Sequence, residues 1–348
     1  MKKAILLLLI GLLTSFVLVA CGNDEAEPET TDNNGTEDTT DNNTTEDTEG
    51  TEDTEEASSV TVTDMYGEQT FETTPERVVV LEWVYAEDVL ALDIQPVGMA
   101  DIEGYHAWVN IDKELSEDVA DVGTRQEPNL EAVAELNPDV IITAGFRHEA
   151  IMDSLKEIAP TLAFNPYPNE GEGNQYEEMT TTFNEIAKLF GKESEAEQVL
   201  TDLDAAYESA KEEIDAANIE NKSFVLSQAY SSENNPVIRL FKDNAMAIQI
   251  MQNIGLENAY ESEGFQAYGF DQASVEALQN FQDAHFFYIV QEEDNIFSNQ
   301  LAGNPAWENL GFVEEGRTYQ LPGDTWTFGG PLSAQVFAEQ IKEVLIQE

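Results

Sequence analysis

The chain has 348 residues, 41% of them hydrophobic, and sets 70 Asp and Glu against 15 Lys and Arg, a formal charge of -55. So acidic a molecule excludes nucleic-acid binding, which needs a basic footprint, and repels other anions at long range. The single cysteine, Cys21, excludes an intramolecular disulfide and a cysteine-based metal site, and the three histidines, His106, His148 and His285, include no pair at zinc-ligand spacing.

The length exceeds one ordinary core and points to two domains plus non-globular segments. Residues 1–21 open with Lys2 and Lys3, continue as an apolar run from Ala4 to Ala20, and read as a secretory leader. Leu18-Val19-Ala20-Cys21-Gly22 resembles the lipobox of bacterial lipoproteins, which would make Cys21 the lipidated first residue of the mature chain. The alternative is a plain membrane anchor, since the run is only just short of a span. Two acyl chains on one cysteine suffice for stable anchoring. Residues 22–59 are Asp, Glu, Thr and Asn with no basic residue, too polar to offset their ordering entropy, and form a disordered acidic tether.

Globular patterning starts at Val60. Val60, Val62 and Phe71 suggest a hairpin about Tyr66-Gly67, and Pro75-Glu76-Arg77 introduces a strand over Val78 to Leu81 and a helix from Trp83 to Leu92. A short strand at Pro96 to Met99 leads into a loop carrying Tyr105, His106 and Trp108. Between Asp121 and His148 come a loop with Arg125, a helix capped by Asn129, the buried strand Val140 to Ile142 and a second loop with Arg147. Arg147 thus follows a strand at its carboxyl end, where open α/β sheets place ligands. Glu149 to Ile158 and Thr161 to Phe164 add a helix and a strand. The alternation implies a parallel sheet flanked by helices, and an N-terminal lobe over 60–175.

Linking helices occupy 176–218. Lys192 to Asn218 holds no Gly or Pro, so this stretch can run as one helix of about seven turns and about 40 Å. The C-terminal lobe, 219–348, begins with a strand at Phe224 to Gln228 and a loop with Arg239. There follow a helix from Ala245 to Ile254, Val275 to Leu278 on a helix, a strand from His285 to Val290, a helix ending at Trp307 and Leu310, a strand at Tyr319 to Leu321 and a last helix from Ala334 to Ile346. Leu130-Glu131-Ala132-Val133 and Val275-Glu276-Ala277-Leu278 precede their strands at nearly the same offset, as two similar halves would.

No nucleophile elbow, phosphate loop, dinucleotide fingerprint or paired metal ligands are present, so the residues offer no catalytic constellation. The few arginines are more informative. Arg77 and Arg317 read as structural, whereas Arg125, Arg147 and Arg239 sit in loops at element ends. Guanidinium groups hold carboxylates bidentately and stay charged, so three converging on one cleft would bind an oxyanion-rich ligand; singly, each reads equally well as a salt-bridge partner. Tyr105, Trp108, Tyr268 and Trp326 suit the wall of a partly wet pocket, or core packing. His148 beside Arg147 reads as a base, a ligand contact, a group that orients a neighbour or a helix cap.

Several stretches, Pro75 to Trp83, Val122 to Ile142, Arg147-His148, Ile158 to Leu162, Asn304 to Trp307 and Asp324 to Ala334, taken in order, resemble the substrate-binding lipoproteins of bacterial ABC transporters for iron(III)-siderophores. The resemblance implies two Rossmann-like α/β lobes joined by a long rigid helix, the class III periplasmic-binding-protein fold, with little hinge closure and no enzymatic activity. It implies ligand-binding roles for Arg125, Arg147, Arg239, Trp108, Tyr268 and Trp326, to which the reading of the residues themselves adds Tyr105 and His148 as candidate ligand contacts. Glu131 and Glu276 match the pair, one per lobe, that dock on arginines of an ABC permease dimer. No intrinsic cofactor or protein metal ligand is implied, because the siderophore saturates the iron. The expected ligand is an anionic ferric siderophore, citrate-based or mixed citrate-hydroxamate. The expected setting is a monomer anchored by lipid alone on the outer face of a Gram-positive type cell membrane. Two alternatives remain: a haem or corrinoid binder, for which Tyr105 or Tyr268 could supply an axial oxygen, and a secreted hydrolase.

Overall fold

The structure, a computed structural model, describes residues 59–347 apart from residue 234. The leader with Cys21 and all but the last residue of the acidic tether lie outside the described residues. Strands β1 (Val60–Asp64) and β2 (Gly67–Phe71) form the antiparallel hairpin expected about Tyr66-Gly67.

The N-terminal lobe then runs β3 (Val78–Val80), α1 (Trp83–Ala91), β4 (Gly98–Met99), α2 (Ile102–Trp108), β5 (Ala120–Asp121), α3 (Leu130–Glu135), β6 (Val140–Ala144), α4 (Gly145–His148), α5 (Met152–Ile158) and β7 (Thr161–Phe164). Its five strands are parallel in the order β5-β4-β3-β6-β7. Every residue of β3 and β6 is buried, as the apolar runs Val78–Val80 and Val140–Ile142 require of strands covered on both faces. Asn129 caps α3 by accepting from the N–H groups of Glu131 and Ala132. The stretch expected to be a loop with Tyr105, His106 and Trp108 is helical instead. Gly104 obscured this: a Cβ there would lie 2.6 Å from the Trp83 ring, so the glycine allows α2 to close on that side chain.

Two helices follow, α6 (Gln175–Leu189) and α7 (Glu193–Ala216). Ala196, Val199 and Leu200 of α7 pack in the N-terminal core, whereas Leu203, Tyr207, Ala210 and Ile214 pack in the C-terminal one. Its 24 residues span about 36 Å, so one uninterrupted rod is built into both cores.

The C-terminal lobe comprises β8 (Ser223–Ser232), β9 (Asn235–Phe241), α8 (Met246–Asn253), β10 (Glu257–Asn258), β11 (Phe270–Ala273), a 3-10 turn (Val275–Phe281), β12 (His285–Ile289), α9 (Pro305–Glu308), α10 (Gly311–Glu314), β13 (Thr318–Leu321) and α11 (Pro331–Ile346). Its sheet runs β11-β9-β8-β12-β13, with β10 also on β8. The triplet β8-β12-β13 is parallel and matches β3-β6-β7 of the first lobe, but β9 and β11 are antiparallel additions. Arg239 therefore lies within a strand, not in the expected loop. The two lobes also meet directly, where Glu87 of α1, fully buried, accepts from the N–H and Oγ of Ser333 in α11, both at 2.6 Å.

Candidate ligand-binding cleft

A cavity of about 320 Å³ opens between the lobes where the parallel strands of both sheets end. Trp83 follows β3, Trp108 ends α2 after β4, and Arg125 follows β5. From the other lobe come Gln228 and Tyr230 of β8, Arg239 of β9, Val290 and Gln291 after β12, Asp294, and Trp326 and Phe328 after β13. The Trp83 and Trp326 rings meet across the lobes at 5.3 Å, edge to face.

Arg125 is held from several sides. Its guanidinium lies 3.3 Å from the centre of the Trp83 ring, Nη1 donates to Glu82 Oε1 at 2.8 Å, and Nε is 3.6 Å from Asp101 Oδ2. The other oxygen of Glu82 accepts from Arg147 Nε at 2.6 Å. Glu82 is 5% exposed and shares its two oxygens between two guanidiniums. In the second lobe, Arg239 Nη1 donates to its cross-strand partner Gln228 at 2.8 Å, and its guanidinium lies 4.5 Å from the Phe270 ring centre.

Four of the expected residues, Arg125, Arg239, Trp108 and Trp326, come together around this cavity; four do not. Arg147 is not on its lining but is coupled to Arg125 through Glu82. Tyr105 is 3% exposed, with its ring against Trp83 at 6.3 Å, and so supports the wall instead of forming it. His148 is buried and has both nitrogens engaged. The Arg125 carbonyl, which can only accept, receives a hydrogen bond from Nε2–H at 2.7 Å, so Nδ1 accepts from the Thr143 hydroxyl. Burial holds His148 below the usual histidine pKa, keeping it neutral, with a positioning role on the Arg125 loop. Tyr268 lies beyond the cavity in a run of rings that joins Phe328 to Tyr167, Tyr167 to Tyr268, and Phe146 to Arg147 at the cleft rim.

Glu82, Trp83, Gln228, Tyr230 and Phe328 were missed. Glu82-Trp83 lies just past the carboxyl end of an apolar strand, and Arg147, in α4 and not in the expected loop, lies just past that of β6, so the strand-end rule applied to Arg147 would have found them. Gln228 likewise ends the parallel part of β8, opposite Ile289. Among the described residues no group of three or more His, Cys, Asp or Glu could hold a metal ion.

Two α/β lobes built onto one stiff helix, with an aromatic and arginine-bearing cavity at the strand ends of both, define a bilobal solute-binding protein. The chain belongs to the periplasmic binding protein family, whose profile matches residues 78–325. It is accordingly a substrate-binding protein and not an enzyme, which removes the hydrolase alternative. It is 31% identical over 284 residues to the Fe(3+)-citrate-binding protein YfmC of Bacillus subtilis (strain 168), covering 81% of this chain and 85% of that one. Over 273 residues it is 29% identical to the Iron(3+)-hydroxamate-binding protein FhuD of Escherichia coli (strain K12), covering 78% and 87%. The crystal structure of Fe3+-Desferal-bound siderophore-binding protein FhuD from Vibrio cholerae superposes with a TM-score of 0.70 at 29% identity, over 78% of this chain and 98% of that one. The expected fold class is borne out.

Proposed function

We propose that this chain captures a ferric siderophore between its lobes and delivers it to an ABC importer permease, anchored outside the membrane through Cys21. The observation that carries this reading is the inter-lobe cavity, where Arg125 and Arg239 approach from opposite sheets and three tryptophans, Trp83, Trp108 and Trp326, form the apolar wall. Guanidiniums donate to the negatively polarised oxygens of an iron complex, and indole faces cover its carbon skeleton. The names of the relatives, citrate-binding and hydroxamate-binding, support the same cargo. The citrate-based, mixed citrate-hydroxamate and pure hydroxamate complexes form the panel to test. A haem ligand loses support, because neither Tyr105 nor Tyr268 lines the cavity.

Three of the four tryptophans line the cavity, so titration with iron-loaded siderophores is expected to quench most of the indole fluorescence. Arg125→Ala should weaken the best ligand by about tenfold or more, through the loss of charge-assisted hydrogen bonds. A flat titration with every ferric siderophore in the panel would overturn the reading.

A further inference from the structure

We propose that Glu82 sets the charge class of the ligand: the cleft selects ferric complexes of low net charge, of the trihydroxamate type, over anionic ferric citrate. This rests on the siderophore reading and deepens it. The three arginines alone suggest an anion site, but Arg125 and Arg147 are each ion-paired to a carboxylate, and a further carboxylate lines the cavity that Arg239 enters. Glu82 accepts from Arg125 at 2.8 Å and from Arg147 at 2.6 Å, with a third contact from the Trp83 N–H at 3.3 Å. Asp101 stands 3.6 Å from Arg125 Nε. On the opposite wall Asp294 faces the same cavity as Arg239, fixed by the Ser231 N–H at 2.7 Å. Counted around the cleft, Arg125, Arg147 and Arg239 are set against Glu82, Asp101 and Asp294, and the formal charges balance.

Chemistry decides what such a site accepts. Three hydroxamates, each singly charged, cancel the 3+ of ferric iron, leaving a neutral complex whose outer oxygens are still hydrogen-bond acceptors. Two citrates, with three carboxylates apiece, overshoot that charge. Their complex would have to compete with Glu82 for Arg125 while a chain of charge -55 repels it. The neutral complex needs only the guanidinium N–H groups that Glu82 leaves unused, and its organic face meets Trp83, Trp108, Trp326 and Phe328. Glu82 holds Arg125 over the Trp83 ring, so the same carboxylate both orients the donor and cancels its charge.

The test is the ratio of affinities for a neutral ferric trihydroxamate, such as ferrichrome, and for ferric dicitrate, measured on the wild type, Glu82→Gln and Asp294→Asn. The wild type should favour the trihydroxamate by about tenfold or more, and removing either carboxylate charge should move the ratio about tenfold toward citrate, the effect of one unit charge a few ångströms away in a partly buried site. Glutamine and asparagine retain an acceptor oxygen, and circular dichroism reports whether each variant folds; if Glu82→Gln does not, Asp294→Asn, outside the arginine pair, decides. A wild type that favours ferric dicitrate, or a ratio unmoved in the folded variants, overturns the assignment of charge class while leaving siderophore binding intact. Failure of both complexes to bind where a mixed citrate-hydroxamate complex does bind also overturns that assignment, whereas failure of the whole panel would overturn the function itself.

Discussion

Arg125 shows how a single side chain is placed by neighbours far away in sequence. Trp83 supplies the surface on which it lies, Glu82 a hydrogen-bond acceptor, and His148 fixes its carbonyl. Replacing His148 with Leu would leave the Arg125 carbonyl and the Thr143 hydroxyl without partners, a cost of about 1–3 kcal/mol. Denaturant melts should show that loss, and ligand titration a weaker complex. Because burial depresses the His148 pKa, the unfolded chain takes up its proton more readily than the folded one. That contribution is present above about pH 6.5 and is lost as the pH falls toward the folded value. Melting temperatures followed downward from neutral pH should decline, and His148→Leu should flatten the decline. Arg125 was legible in the sequence because cations are scarce in this chain. Glu82 was not, since one acid among 70 carries no signal until a fold gives it two arginines.

At the scale of elements, the helices and parallel strands were largely readable, because buried apolar runs and caps are local properties. The hairpin β8–β9 was not. Pro236 and the polar residues before it read as a loop, and Arg239 interrupts the apolar run of β9. Alternation explains the strand: Ile238 and Leu240 are fully buried, while Arg239 projects on the other face beside Gln228. The start of α11 is a second case. A Cβ on Gly329 would lie 2.5 Å from both Glu87 Oε2 and Ser333 Oγ, so this glycine lets the helix terminus close on the buried carboxylate of the other lobe. Burial raises the pKa of Glu87 and the Ser333 hydrogen bonds oppose that rise. Gly329→Ala should therefore destabilise the protein by about 1–3 kcal/mol through overpacking, measurable as a lower denaturation midpoint with unchanged slope. An unchanged midpoint would mean the two helices shift apart freely.

For the whole molecule, α7, the α1–α11 contact and the Trp83–Trp326 ring pair all bridge the lobes and fix where the two cavity walls stand. The parallel triplets β3-β6-β7 and β8-β12-β13 give the halves a common plan. Glu131 and Glu276 are exposed in the first turns that precede β6 and β12, equivalent places in that plan, which suits the permease docking proposed for them. Charge reversal of either to Lys should lower ligand-stimulated ATP hydrolysis by a reconstituted importer about tenfold, with ligand affinity unchanged, as expected for charges that act at a partner surface. Equal stimulation by both variants would remove the docking role. The sequence by itself determined the two-lobed α/β plan, the long connecting helix and the scarcity of cations, because hydrophobic period, helix breakers and composition are written along the chain. Only the tertiary structure decided which arginines share a cavity and which carboxylates neutralise them. Those pairings join residues as far apart as 82 and 147, and a chain rich in acids offers too many partners for spacing to choose among them.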